Sequence, residues 1–342
     1  TLGGARLYGV EVPVPPDTVP LWERLIQAGI PCYEADVRFA IRYLIDHGLR
    51  GGVAIDGPFR SGNRVARVFD EPALSSCEFR PKLKVLSLDL ETDSKGTRIL
   101  SAALHGDSLE EVLVGAPALT KRPEAAIFCG NEKNLLLRLA ESIRHHDPDV
   151  LTGWNLIDFD LTVLNQRLRF HNLTLELGRI PGAMKIQRDS SFWGASRAEV
   201  PGRMVLDGIQ LLRGAFIKLE DYSLETAARS LLGEGKTLAG EDRHREIERL
   251  YREDLPAFVT YNLTDARLVT RILEKTRLVE LAVERSLLTG MPLDRVSGSI
   301  ASFDFLYLGE LRKRGRVAPT VQVKGEAEPT AGGAVLEPVT GL

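Results

Sequence analysis

Residues 84–92 read Lys-Val-Leu-Ser-Leu-Asp-Leu-Glu-Thr. Apolar residues recur at every second position, which is the period of a strand and not of a helix. Leu86, Leu88 and Leu90 fall on one side, and Val85, Ser87, Asp89 and Glu91 fall on the other. The leucine side belongs in a core. The opposite side carries two carboxylates whose side chains lie roughly 7 Å apart along one face. Like charges so placed at the end of an apolar strand repel and require a compensating cation. Mg²⁺ suits the position, because it prefers hard oxygen ligands and phosphate partners. An edge strand whose acids face water also accounts for this stretch, since Asp-x-Glu is a common tripeptide.

Two later segments aim further carboxylates inward. Residues 149–155, Asp-Val-Leu-Thr-Gly-Trp-Asn, read as a short buried strand ending in a turn, and Phe159, Leu161, Val163, Leu164 and Leu168 follow at helical spacing. Asn155 and Asp160 flank that junction. Asp158 stands just before the apolar periodicity, in the position of an N-cap. Pro256 to Ile272 reads as a helix with an inward stripe of Phe258, Tyr261, Asp265, Leu268, Val269 and Ile272. Tyr261 and Asp265 are four apart and share a face. Each residue also has a plain structural reading. Asp160 answers a helix dipole, Asp265 pairs with a buried arginine, and Tyr261 fills a core. Coincidence explains the three segments together less well than it explains any one of them.

Asp89-Leu-Glu91, Asn155-Leu-Ile-Asp-Phe159-Asp160 and Tyr261-Asn-Leu-Thr-Asp265 resemble, in order, the three exonuclease motifs of family B DNA polymerases, with the bacterial members matching best. Tyr33-Glu-Ala-Asp-Val-Arg, Tyr222-Ser-Leu-Glu-Thr, Leu232-Gly-Glu-Gly-Lys, Leu293-Asp-Arg-Val-Ser-Gly-Ser and Gly315-Arg-Val-Ala-Pro extend the resemblance over most of the chain. The resemblance implies an α/β, ribonuclease-H-like mixed sheet and 3′→5′ proofreading of single-stranded or frayed DNA. It implies two Mg²⁺ ions, about 3.5–4 Å apart in such sites, with Mn²⁺ able to substitute. Asp89 would lie between both ions, Glu91 and Asp265 would complete the nucleophile side, and Asp160 would hold the other ion. Tyr261 would orient the attacking water with Glu91. Related exonucleases carry a histidine where this chain has Thr260, so the tyrosine variant is expected. Asn155, Phe159 and Thr92 would hold the terminal nucleotide.

The implied partners are a DNA 3′ end or primer terminus, the rest of a polymerase chain, and replication accessory factors. The family's polymerase motif has no counterpart here, and Gly332 to Leu342 reads as the approach to it. The chain is therefore expected to be a fragment that does not incorporate nucleotides. Two other classes fit less well. A catalytically silent structural or DNA-binding module would lack a carboxylate, and all four are present. A stand-alone RNA exonuclease of the same fold is opposed by the flanking polymerase-like segments.

Composition sets wider bounds. The 342 residues imply two or three domains. With 44% hydrophobic and 27% charged residues the chain can bury a large core. A net charge of −3 lacks the global footprint of a nucleic-acid binder, which suits an enzyme that grips a strand end locally. Three distant cysteines, Cys32, Cys77 and Cys129, fit a reducing cytoplasm. The absence of a long apolar run predicts no membrane segment.

Pro72 and Pro81 bracket a linker, giving expected domains at 1–80, 81–290 and 291–342. The first is a smaller α+β domain with helices at 20–28 and 38–47. The second reads as strands 84–92, 98–105 and 110–115, helix 132–146, strand 149–154, helix 159–171, a hairpin within 178–203, strand 203–207, and helices 223–232, 243–252 and 256–288. Residues 236–245 read as loop, 297–314 as a further helix and 324–338 as irregular.

Overall fold

The computed structural model describes residues 3–63, 65–116, 123–174, 176–188, 196–235 and 243–320. These form two compact units, one spanning Leu49–Phe303 and the other drawn from Thr1–Gly48 and Asp304–Leu342. In the smaller unit, helices α1 (Thr18–Gln27) and α2 (Phe39–Asp46) lie near the expected positions. Glu34 ties its two chain segments together. Its carboxylate pairs with Arg42 of α2 and accepts the Ala318 N–H at 2.7 Å. The expected helix at 297–314 forms over Ser299–Lys313. Residues 324–338 lie outside the described residues.

The larger unit opens with two small antiparallel pairs, β1 (Val53–Asp56) with β4 (Ala73–Ser76), and β2 (Phe59–Arg60) with β3 (Val68–Phe69). A mixed six-stranded sheet follows. Strands β5 (Val85–Thr92), β6 (Ile99–Gly106) and β7 (Leu109–Val114) form an antiparallel meander. The short β8 (Ala126–Phe128) runs parallel to β7. Helix α3 (Glu132–His146) leads to β9 (Val150–Gly153), parallel to β5, and helix α4 (Leu161–Phe170) follows. The expected hairpin contains β10 (Lys185–Gln187) and β11 (Arg197–Glu199), paired antiparallel, with 189–195 outside the described residues. Strand β12 (Met204–Asp207) completes the sheet beside β9. The chain ends this unit with α5 (Gly208–Gly214), α6 (Leu224–Leu232), α7 (Arg243–Glu253), α8 (Leu255–Thr276) and α9 (Leu278–Thr289).

Both faces of β5 are covered. Leu86, Leu88 and Leu90 join Ala102 and Leu104 of β6 and Leu113 of β7 in one core, closed by Leu135, Leu136, Leu139 and Ile143 of α3 and Leu161 and Leu164 of α4. On the other face Ala103, Val112 and Val114 meet Val259, Leu263 and Ala266 of α8. Ala103 stands opposite Asp89 in the β5–β6 register. The small side chain there lets α8 lie close over the charged end of β5.

Two expectations need correction. The helix expected over 256–288 is two helices, broken at Arg277, which takes a left-handed conformation (φ 53°, ψ 38°). Leu273 before the break and Leu278 and Val279 after it all enter the cluster beneath α5 and α6, and the bend keeps all three on one side. The helix expected from 159 starts at Leu161, because a turn of different pitch precedes it. The helix expected at 243–252 forms as Arg243–Glu253, and of the overlapping loop expected at 236–245 residues 236–242 lie outside the described residues. Among the described residues no helix is long and apolar enough to cross a membrane, and the three cysteines are not joined in disulfides.

Glu132 fastens the leucine-side layer. It opens α3, where the Asn131 side chain caps the helix by accepting from the Asn134 N–H. The Glu132 carboxylate accepts from Arg167 Nε at 2.8 Å and Nη2 at 2.7 Å, lies 2.7 Å from His171 Nε2, and accepts the Ile99 N–H at 2.8 Å. Burial alone would raise its pKa, but the bonds from Arg167, His171 and Ile99 outweigh burial and lower it. A depressed folded-state pKa contributes stability above the unfolded value, near 4.3 for glutamate, and that stability is lost as pH falls through the folded value. Glu132→Ala should cost about 3–5 kcal/mol, the range for breaking one side of a buried pair. Urea melts at neutral and acid pH check both points, because the variant should lose less stability than the parent below about pH 4.

Candidate metal centre

Asp89 and Glu91 project from β5 toward α8, and Asp265 projects from α8 toward them. One carboxylate oxygen from each lies within 4.8 Å of the other two. Glu91 is 6% and Asp265 1% exposed, while Asp89 is half-buried. Three anionic oxygens so close, with two of their owners out of water, repel strongly unless a cation stands among them. The donor set is entirely carboxylate. That chemistry fits Mg²⁺ or Mn²⁺ better than metals that favour thiolate or imidazole, so the residues fit the divalent ion the motifs imply.

Asp160 reaches the same place by a different route. Strand β9 pairs with β5 only as far as Ser87 opposite Thr152, so the last residues of β5 run past its end. Gly153 closes β9 where a Cβ would lie 2.5 Å from the Leu88 carbonyl oxygen, which no side chain tolerates. Asn155 then turns the chain in the left-handed region (φ 59°), and Leu156–Asp160 form one π-helical turn. The Leu161 N–H bonds the Leu156 carbonyl. The wider turn carries Asp160 inward, and its Oδ1 accepts the Leu90 N–H at 2.8 Å, between the two acids of β5. Asp207, at the end of β12, accepts the Ile157 N–H at 3.4 Å and caps α5 through the Ile209 and Gln210 N–H groups. Burial first, and then the Asp89 charge, push the Asp160 carboxyl well above the usual carboxylate range.

Asn262 and Ser101 are two further participants that residue typing did not single out. Asn262 Nδ2 donates to Asp89 Oδ2 at 2.7 Å and approaches the Asp89 carbonyl at 3.3 Å. Its Oδ1 accepts from Ser101 Oγ at 2.6 Å. The sequence held a signal for Asn262, which falls four residues after Phe258 and three before Asp265, on the inward stripe of α8.

The remaining expected residues divide. Tyr261 is 1% exposed and packs with Leu100, Ile247, Leu250 and Phe258. Thr92 is buried, with its hydroxyl donating to the Asp93 carbonyl at 3.0 Å. Asn155 and Phe159 are exposed on the π-turn. The N-cap role expected of Asp158 is not observed. It lies exposed in the middle of the π-turn, and no side-chain cap bond begins either that turn or α4.

Asp158→Ala should therefore shift stability by no more than about 0.5 kcal/mol, as surface substitutions do. Asp160→Asn should raise the stability of the metal-free protein at pH 7. A carboxyl whose pKa is raised on folding weakens the fold above that pKa, and the weakness fades as pH falls through it. The gain from Asp160→Asn should shrink in acid. Thermal melts in EDTA across pH 4–8 test this, and a lower melting temperature for Asp160→Asn at pH 7 would contradict it.

Comparison with known proteins agrees with this geometry. Residues 113–227 match the family model for DNA polymerase family B, exonuclease domain. That span includes Asn155, Phe159 and Asp160. DNA polymerase II of Escherichia coli is 36% identical over 94% of this chain and 41% of its own length. The DNA polymerase delta catalytic subunit of Schizosaccharomyces pombe is 26% identical over 92% of the chain and 33% of its own length. The solved family B DNA polymerase from the hyperthermophilic archaeon Pyrobaculum calidifontis superposes with a TM-score of 0.70 at 23% identity, covering 95% of this chain and 42% of that one. The chain thus spans less than half the length of these relatives. With a ribonuclease-H-like mixed sheet and a match to the exonuclease domain, the chain belongs to DNA polymerase family B.

Proposed function

We propose that this chain is the proofreading exonuclease portion of a family B DNA polymerase, and that it removes nucleotides from the 3′ end of single-stranded or frayed DNA by metal-dependent hydrolysis. The observation that carries this reading is the convergence of Asp89, Glu91 and Asp265 within 4.8 Å, from two elements far apart in sequence. Residues 81–290 would form the catalytic domain. The rest of the polymerase chain and replication accessory factors would be its partners, acting in replication and repair in a reducing cytoplasm.

Asp89, Glu91 and Asp265 would hold the ions, with Asp160 facing them from the π-turn. Two divalent ions, Mg²⁺ or Mn²⁺, supply charge neutralisation at the phosphoryl oxygens, an activated water and relief of charge on the leaving 3′ oxygen. The chain's own groups do the rest. Glu91 accepts a proton from the attacking water, with Tyr261 orienting that water from one helical turn before Asp265. Phe159, exposed on the π-turn, offers a face to the terminal base, which lets the site accept any base. Asn155 beside it would contribute a hydrogen bond, and Thr92 would line the floor. Frayed ends are preferred because separating them costs less.

With a 5′-labelled single strand and Mg²⁺, the expected product is a ladder of labelled fragments shortened from the 3′ end, abolished by EDTA. Asp89→Ala combined with Glu91→Ala should lower the rate by about 10²–10³-fold or more, the scale of losing strong transition-state stabilisation. The fold should persist, because the substitution removes like-charge repulsion. Full activity in EDTA, immediate release of the 5′ label, or normal cleavage by the double variant would overturn the reading.

A further inference from the structure

We infer that Asn262 is a positioning residue for Asp89, anchored in turn by Ser101. The inference rests on the reading of the carboxylate cluster as a metal centre. Asn262 and Ser101 are completely buried. The polarity of their contacts is fixed by chemistry. Both groups of Asp89 that Asn262 meets, the Oδ2 atom and the main-chain carbonyl, are acceptors, at 2.7 and 3.3 Å. The amide nitrogen must therefore face Asp89, and the amide oxygen must face Ser101, whose hydroxyl donates to it at 2.6 Å. Flipping the amide would set oxygen against oxygen at Asp89.

The consequence is a one-way chain from β6 through α8 to β5. Ser101 stands opposite Glu91 in the β5–β6 register, so its side chain shares the face that carries both acids. Asn262 grips residue 89 by main chain and side chain together. That grip fixes the Asp89 carboxylate torsion and commits Oδ2, leaving the group turned toward Glu91 and Asp265. Donation from a neutral amide also steadies the ionised form without placing a competing cation in the cluster. An arginine or lysine there would neutralise the charge that a metal ion needs. Groups that orient a ligand in this way typically change metal affinity by about 10–100-fold when removed.

A purely structural role makes a different forecast, and the same helix supplies the control. Two turns further along α8, Thr270 Oγ1 lies 2.7 Å from His105 Nδ1 of β6. That contact also fastens α8 to the sheet, but it touches no carboxylate of the cluster. The test is Mn²⁺ affinity of the whole chain, read by electron paramagnetic resonance, together with steady-state single-strand digestion. Asn262→Leu keeps the branched outline of the side chain and removes the donor. It should weaken Mn²⁺ binding by about 10–100-fold and lower kcat while leaving KM for DNA unchanged. Ser101→Ala should weaken Mn²⁺ binding in the same direction by less, and it carries the test if the leucine variant fails to fold. Thr270→Val should lower the melting temperature and leave Mn²⁺ affinity at the parent value. Parent-like Mn²⁺ affinity in Asn262→Leu, or in Ser101→Ala when that variant carries the test, overturns the inference. So does an equal loss in Thr270→Val, which would mark Asn262 as one latch among several. A parent protein that neither binds Mn²⁺ nor degrades DNA fails at the earlier step, and the metal reading falls with it.

Discussion

Two like charges at the end of one apolar strand set the terms for the rest of the larger unit. A strand covered on both faces is ordinarily apolar on both. Strand β5 is covered on both faces, yet Ser87, Asp89 and Glu91 occupy one of them. The hydrophobic drive is therefore one-sided, through Leu86, Leu88 and Leu90 against α3 and α4. The other side is held by residues small enough or polar enough to sit beside acids. Ala103 and Ala266 bring α8 close, and Asn262 and the Leu90 N–H supply donors that favour ionised carboxylates. The charge left over is what a divalent cation would satisfy.

Strand lengths decide how the fourth acid arrives. If β9 ran as far as β5, it would take up the Leu90 N–H and leave Asp160 no place beside the cluster. Instead β9 stops at Gly153, where the Leu88 carbonyl excludes any side chain. The chain turns at Asn155, and a π-turn delivers the carboxylate to the vacated edge. Single π-turns are rare and often functional, because the extra residue per turn redirects one side chain without ending the helix. Here the redirection separates Asp160, facing inward, from Asp158 and Phe159, facing out.

What could be read from the sequence follows from which features have a period. The β5 alternation placed Asp89 and Glu91 on one face. The four-residue spacing places Tyr261 and Asp265 on one helix, and the expected helix 132–146 coincides with α3. Features without a period stayed hidden. The π-turn violates the 3.6-residue repeat, so Asp158 took on the appearance of a cap. The break at Arg277 carries neither glycine nor proline, and only the shared burial of Leu273 and Leu278 explains it. The three residues of β8 are too few to show alternation. Asn262 was on the right stripe but has an ordinary side chain, and its importance lies in what it touches.

Three buried carboxylates in this one chain show why burial alone does not mark a functional acid. Glu132 is enclosed by Arg167, His171 and a main-chain N–H, and its pKa falls despite burial. Asp207 is enclosed mainly by main-chain N–H groups, which soften but do not cancel the effect of burial, and its pKa rises. Asp160 has backbone donors too, but its charged neighbours are Asp89 and Glu91, which add to burial in pushing its pKa up. The sequence gives all three the same side-chain chemistry. The difference lies in the sign of the surrounding charge. A buried acid among cations is already satisfied and stabilises the fold. One among other acids destabilises the fold until something positive arrives. In this protein that second arrangement occurs where β5 outruns its neighbour.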